Sequence, residues 1–142
     1  MIGMQMRNPY LQYQEQRVQN ATPGERVLML YDGAVRFLRA ARAAMEGSDA
    51  AGQAHNLDRA QSVLLGLISS LNLREGGELA VCLLRVYEYC YNRLCDAGTT
   101  DDVEAVVEVT GLLADLRGAW ADAAAQVDGR MDSEPLPLAM SA

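Results

Sequence analysis

Lysine is absent from this chain of 142 residues: all 12 basic residues are arginine, against 19 acidic ones, for a net charge of −7. Without lysine there is no side-chain amine for Schiff-base catalysis and no phosphate-loop lysine. The acidic balance leaves no surplus positive charge to displace counterions from a phosphate backbone, so no nucleic acid partner is expected. Cysteine occurs three times, at Cys82, Cys90 and Cys95. An odd number inside apolar pattern, with no Cys-x-x-Cys pair, reads as reduced core thiols rather than a disulfide framework, a redox pair or a metal site. Histidine occurs once, at His55, and is the sole candidate for acid–base work near neutral pH. No run approaches the ~20 apolar residues needed to span a bilayer, and residues 1–19 lack the layout of a signal peptide. The expectation is a soluble, cytoplasmic protein with no membrane insertion.

Proline is also scarce, and its placement is informative. It stands only at positions 9, 23, 135 and 137, so the long stretch between Pro23 and Pro135 is free of the strongest helix breaker. Alanine and leucine dominate there and β-branched runs are short, which favours helix throughout. Half of the chain is apolar, enough for one domain burying roughly two-thirds of its unfolded surface and too little for a second core.

Four helices are predicted. Thr22-Pro23-Gly24-Glu25 is a capping box with proline at the first helical position, and the helix it starts carries Val27, Tyr31, Ala34, Leu38, Ala41 and Met45 on one face until Glu46-Gly47. Ser48 or Asp49 caps the second, with the stripe Leu57, Ala60, Leu64, Leu67, Ile68 and Leu71, stopping before Gly76-Gly77. The third carries Leu79, Leu83, Val86, Cys90 and Leu94 to a C-cap at Gly98. Thr99 or Thr100 caps the fourth, with Asp101, Asp102 and Glu104 opposing its dipole and Val103, Val106, Val107, Thr110, Leu113, Leu116 and Trp120 on its buried face. Joined by short turns, they predict an all-α, antiparallel up-down four-helix bundle over residues 22–126. Residues 1–21 form an N-terminal cap segment, with a helical turn or two after Asn8-Pro9 bearing Tyr10, Tyr13 and Val18. Residues 127–142 read as a disordered tail, with Pro135-Leu136-Pro137-Leu138 as a docking motif the weaker alternative.

Chemistry is hard to find. A helical histidine in a bundle is the requirement of phosphotransfer domains, but Asn56-Leu57-Asp58-Arg59 places an acid where that chemistry needs positive charge. Asp101, Asp102, Glu104 and Glu108 could mimic a carboxylate metal cluster, yet no Glu-x-x-His occurs and the first-turn dipole accounts for most of them. Gly76-Gly77 reads as a turn, since a phosphate cradle wants a preceding strand and usually lysine. No catalytic, cofactor or metal residue is expected.

The order of several strings carries more information. Asn8-Pro9-Tyr10-Leu11-Gln12-Tyr13, Asn20-Ala21-Thr22-Pro23-Gly24-Glu25 and Met29-Leu30-Tyr31-Asp32-Gly33-Ala34 resemble the flagellar secretion chaperone family FliS. Glu75-Gly76-Gly77-Glu78-Leu79-Ala80, Val86-Tyr87-Glu88-Tyr89, Asn92-Arg93-Leu94, Glu108-Val109 and Leu116-Arg117-Gly118-Ala119-Trp120 continue the likeness to about Asp122. The chain departs at Asn72, Cys82 and Cys90, where the family commonly has Asp, Asn and Met. The resemblance implies a cytoplasmic export chaperone, not an enzyme, that binds the disordered C-terminal segment of flagellin, prevents premature polymerisation and delivers it to the flagellar type III export gate. It leaves room for an antagonist protein and for a homodimer; a phosphotransfer bundle using His55 is the alternative.

The residues supply a compatible mechanism. Each apolar arc is wider than a single a/d seam, so some large side chains are left over as grooves for an amphipathic client. Tyr87, Tyr89 and Tyr91 point in different directions, so at least one ring leaves the core. The expected partner-binding residues are Tyr10, Tyr13, Tyr31, Leu79, Leu83, Val86, Tyr87, Leu113 and Leu116. Core packing is the competing reading for the aliphatic members. Tyr10 and Tyr13 also read as a lid laid on a groove and displaced by a client or the export gate.

Overall fold

Thr22 separates two helices by satisfying the second one's first amides. Its backbone is extended (φ −68°, ψ 163°), Glu25 N–H donates to its hydroxyl at 3.1 Å, and its own N–H donates to Glu25 Oε1 at 2.8 Å. This reciprocal box fixes α2 at Pro23–Glu46, with the predicted bounds. The structure, a computed structural model describing residues 9–129, holds five helices. Ahead of α2 lies α1, Pro9–Asn20, whose 12 residues make three full turns where one or two were expected. After it come α3 at Ala50–Ser69, α4 at Leu73–Thr100 and α5 at Val103–Gly129. Asn8 and residues 130–142 lie outside the described residues, and α5 occupies 127–129, where the tail was expected to begin.

Two boundaries differ from expectation for local reasons. α3 ends at Ser69, and Asn72 caps the next helix by accepting from Glu75 N–H at 3.0 Å, as an aspartate there would. The helix kinks at Gly77, where φ 58° and ψ −139° exclude residues with a side chain. At its other end, Gly98 is not the cap. The hydroxyls of Thr99 and Thr100 donate back to the carbonyls of Cys95 and Asp96 at 3.0 and 2.9 Å, so the helix runs on and terminates in a left-handed Asp101. Neither threonine caps α5. Asp102 does, its carboxylate accepting from Glu104 and Ala105 N–H at 3.1 and 3.3 Å.

The four long helices close a square in which α2 packs on α3 and α5, and α4 packs on the same two. Leu38, Leu64, Leu94 and Leu113 are each at most 1% exposed and fill the centre. Across the diagonal, α2 and α4 meet through the largest of the fully buried side chains. Tyr31 and Tyr87 are 2% and 0% exposed, with ring centroids 6.4 Å apart and hydroxyls hydrogen-bonded to each other. Burial is the main reason both phenols are pushed above the ordinary tyrosine range. Among the described residues no buried side-chain nitrogen or oxygen lacks a partner. At the end of the bundle that holds the start of α2, Trp120 Nε1–H donates to Gly24 carbonyl at 3.0 Å, fastening α5 to α2.

Because each buried phenol is the other's partner, removing one orphans the other. Tyr31→Phe and Tyr87→Phe are each expected to cost about 1–3 kcal/mol in urea unfolding, and the double variant less than the two losses together. Strictly additive losses would show that the hydroxyls are not coupled.

Candidate partner-binding surface

The packed core does not exhaust the large apolar side chains. Leu79, Leu73 and Tyr89 on α4 are 48%, 50% and 45% exposed, Leu65 on α3 is 50%, and Val107 on α5 is 41%. Leu79 and Val86 stand two and one heptads before Arg93, so they share the edge of α4 that faces α5. Leu83, Val86, Leu112 and Leu116 lie half-buried against the core; Leu112 stands one turn beyond Glu108, whose bond to Arg93 marks the side of α5 that faces α4, so by register Leu79, Val86 and Leu112 make a strip along the α4–α5 seam. Around the kink, Leu73, Gly77, Glu78, Val81, Cys82 and Arg85 line a shallow cleft of about 460 Å³. A second groove of about 520 Å³ runs between α3 and α4, with Leu57, Gln61, Leu94 and Cys95 in its walls.

A polar clamp bounds the α4–α5 strip. Glu108 accepts from the Tyr89 hydroxyl and from Arg93 Nε at 2.9 Å, and Arg93 also lies 3.7 Å from Asp102 and 3.9 Å from Asp96. The Tyr89 hydrogen bond, then that of Arg93, holds the Glu108 carboxyl below its ordinary range. The same bond pushes the Tyr89 phenol up, and Glu108 strengthens the Arg93 cation.

The structure divides the expected partner residues. Tyr31, Tyr87 and Leu113 are 2%, 0% and 0% exposed, so their assignment as partner contacts is corrected: they are core. Leu83, Val86 and Leu116 are half-buried edges of the core, and Leu79 is open. Tyr10 and Tyr13 are 63% and 59% exposed on α1, so that helix does not lie as a lid that buries them in a groove. Leu11, Leu65, Leu73 and Val81 were not expected as partner contacts, although Leu73 and Val81 sit off the main helical stripes and a helical-wheel count finds them. Of the three tyrosines expected to diverge, Tyr89 is the one that leaves the core, and Val107, expected on the buried face of the fourth helix, is exposed because two residues carry it to the opposite side of α5 from Val109.

Little here can do chemistry. His55 is exposed on α3 and makes no hydrogen bond or ion pair with the described residues, so phosphotransfer has no support. Among the described residues no group of histidine, cysteine and carboxylates could hold a metal. Asp102 is committed to a helix cap and Glu108 to the clamp. No helix among those residues is long and apolar enough to cross a membrane. Cys82 and Cys95 are exposed, contrary to their reading as core thiols, while Cys90 is buried and its thiol is pushed up to about 11, chiefly by burial.

A family model described as flagellar protein FliS matches residues 6–127. The chain is 39% identical over 120 residues to the flagellar secretion chaperone FliS of Bacillus subtilis, covering 84% of this chain and 89% of that one. It is 36% identical over 107 residues to the FliS of Salmonella typhimurium, covering 75% and 79%. A solved structure titled "Crystal structure of flagellar chaperone from bacteria" superposes with a TM-score of 0.69 at 16% identity, covering 83% of this chain and 99% of that one. The last comparison speaks to the fold alone.

Two outcomes check this surface. Glu108 is depressed in the folded state, so its contribution to stability is present above its ordinary value of 4.5 and is lost as pH falls through the depressed value. The stability gap between the native chain and Glu108→Gln, read by urea unfolding, is expected to shrink as pH falls below 4.5; a constant gap would remove Glu108 from the clamp. In a thiol-reagent titration at neutral pH, Cys82 and Cys95 are expected to react in the folded protein and Cys90 only on unfolding.

Proposed function

Because the chain belongs to the FliS family, whose model spans residues 6–127, we propose that it is a flagellar secretion chaperone that holds the C-terminal segment of flagellin in the bacterial cytosol and presents it to the flagellar export gate. The family is one of chaperones and not of enzymes. The observation that carries the reading is the apolar surplus. Leu79, Leu73, Tyr89 and Leu65 stay open to solvent around a core that is already closed, which is the state of a bundle waiting for a second apolar surface.

A client that is disordered when free loses several kcal/mol of chain entropy on ordering, so affinity has to come from a long wrapped contact above ~2,000 Å² rather than from one pocket. The surface suits this. The α4–α5 strip offers apolar contact along about two turns between Leu79 and Val86, and α1 adds Tyr10, Leu11 and Tyr13, all more than half exposed. Tyrosine gives large, stiff contact area with a polar tip.

Calorimetric titration with the isolated C-terminal segment of the cognate flagellin is expected to show binding with negative ΔCp, and circular dichroism a gain of helix on mixing. Leu79→Ser is expected to weaken binding about tenfold with little change in unfolding, since the side chain is half exposed. Deleting residues 1–20 is expected to leave the unfolding midpoint of the bundle in place and to lower client affinity. No binding at tens of micromolar would overturn the reading.

A further inference from the structure

The net charge is unevenly spread. Residues 23–72, covering α2 and α3, carry five arginines against five carboxylates; residues 73–129 carry four against eleven. The arginines of the first half are gathered further still. Arg36 of α2 and Arg59 of α3 both lie over the Phe37 ring, at 5.2 and 5.5 Å from its centroid. The Arg36 head lies back along α2 so that Nη2 would be 3.9 Å from a Cβ on Gly33. Beside them a shallow cleft of about 310 Å³ between α2 and α5 is walled by Arg36, Arg39 and Arg117 with Asp32.

The carboxylates that could neutralise this face are occupied or turned away. Asp32 is paired with Arg117 at 2.9 Å, Glu46 with Arg42 at 3.1 Å, and Asp58 lines the α3–α4 groove. Arg36, Arg39 and Arg59 are exposed and have no carboxylate partner among the described residues. Cation–π contact with one ring restrains two guanidiniums, which lowers the entropy cost of bringing them to a carboxylate.

We propose that the face formed by Arg59, Phe37, Arg36 and Arg39 is a docking surface for an acidic segment of a second protein, separate from the apolar surface of α4 and α5. A nucleic acid would meet the same arginines but also the field of a chain at net −7, which repels a long polyanion and leaves a short acidic peptide free to use the local patch. A second copy could offer its acidic α4–α5 half, but that contact joins unlike faces, and heterologous contacts propagate unless the rotation closes.

The test is fluorescence anisotropy at low salt with a labelled twelve-residue glutamate-rich peptide as probe. Binding is expected, weakened at least tenfold in R36Q/R59Q, unchanged in the control R74Q and abolished by high salt. Circular dichroism and urea unfolding confirm that both variants fold. R36K/R59K keeps the charge without the planar, bidentate guanidinium fork, and an intermediate loss is expected. Absence of peptide binding at millimolar concentration, equal loss in the control variant, or equal affinity for a single-stranded oligonucleotide overturns the proposal. So do oligomers in sedimentation that R36Q/R59Q abolishes, since these assign the face to a second copy. Binding of the flagellin segment is expected to survive R36Q/R59Q; its loss would merge the two surfaces. Failure of the flagellin titration alone leaves the peptide result standing, so the two readings fail separately.

Discussion

The diagonal contact between Tyr31 and Tyr87 governs the rest of the bundle. In a square of four helices the diagonal partners are too far apart to pack backbone to backbone, and only long side chains span the gap. Leucine would leave a void there, and phenylalanine on one side would strand a hydroxyl. A matched pair of phenols fills the width with ring and places its two polar atoms against each other, so that neither is left without a partner. Among the described residues the core has no buried charge, and its remaining titratable group, Cys90, is kept as a neutral thiol by the same burial.

That fixed diagonal leaves α4 the least covered of the four long helices. α2 is tied twice to α5: Trp120 donates to its first turn and Arg117 pairs with Asp32. α4 is bound to α5 by an exposed polar clamp and to α3 by Gln61, which donates to the Tyr91 carbonyl at 3.4 Å and to Cys95 Sγ at 3.1 Å. Surface polar contacts of this kind contribute little on their own. Their value is positional, since the Glu108 cluster holds α5 in register with α4 and so keeps the Leu79–Val86 edge open as a strip.

Much of this was legible in the sequence wherever the cause was local. The capping box at Thr22, the cap at Asp49 and the end of α2 at Glu46 depend on residues three or four apart, and pattern reading resolves them. Gly98 misled because glycine marks a helix end only when the chain has to turn there; the hydroxyls of Thr99 and Thr100 carried the helix onward to Asp101. Tyr31 and Tyr87 are 56 residues apart, and nothing near either one reveals that it has a partner. A tyrosine on an apolar stripe suits a groove as well as a core, so both were assigned to the surface. Leu83 and Leu116 sit at the margin for a related reason: a wide stripe shows that some residues are left over, while the neighbouring helix decides which.

The open apolar strip and the uneven charge belong to one physical problem. A chaperone has to expose apolar surface while empty and still not bind its own copies. Residues 73–129, which bear Leu79, Leu73 and Tyr89, also hold the excess of carboxylates, so two copies that meet strip to strip bring like charge together before apolar contact is made. A disordered client can thread its apolar side chains between those charges, whereas a rigid second copy has to approach with all of its own at once. On this argument the acidity of α4 and α5 discriminates against self-association. The arginines of α2 and α3 are then free to meet a different partner, because their face contributes nothing to the net charge that keeps the empty bundles apart.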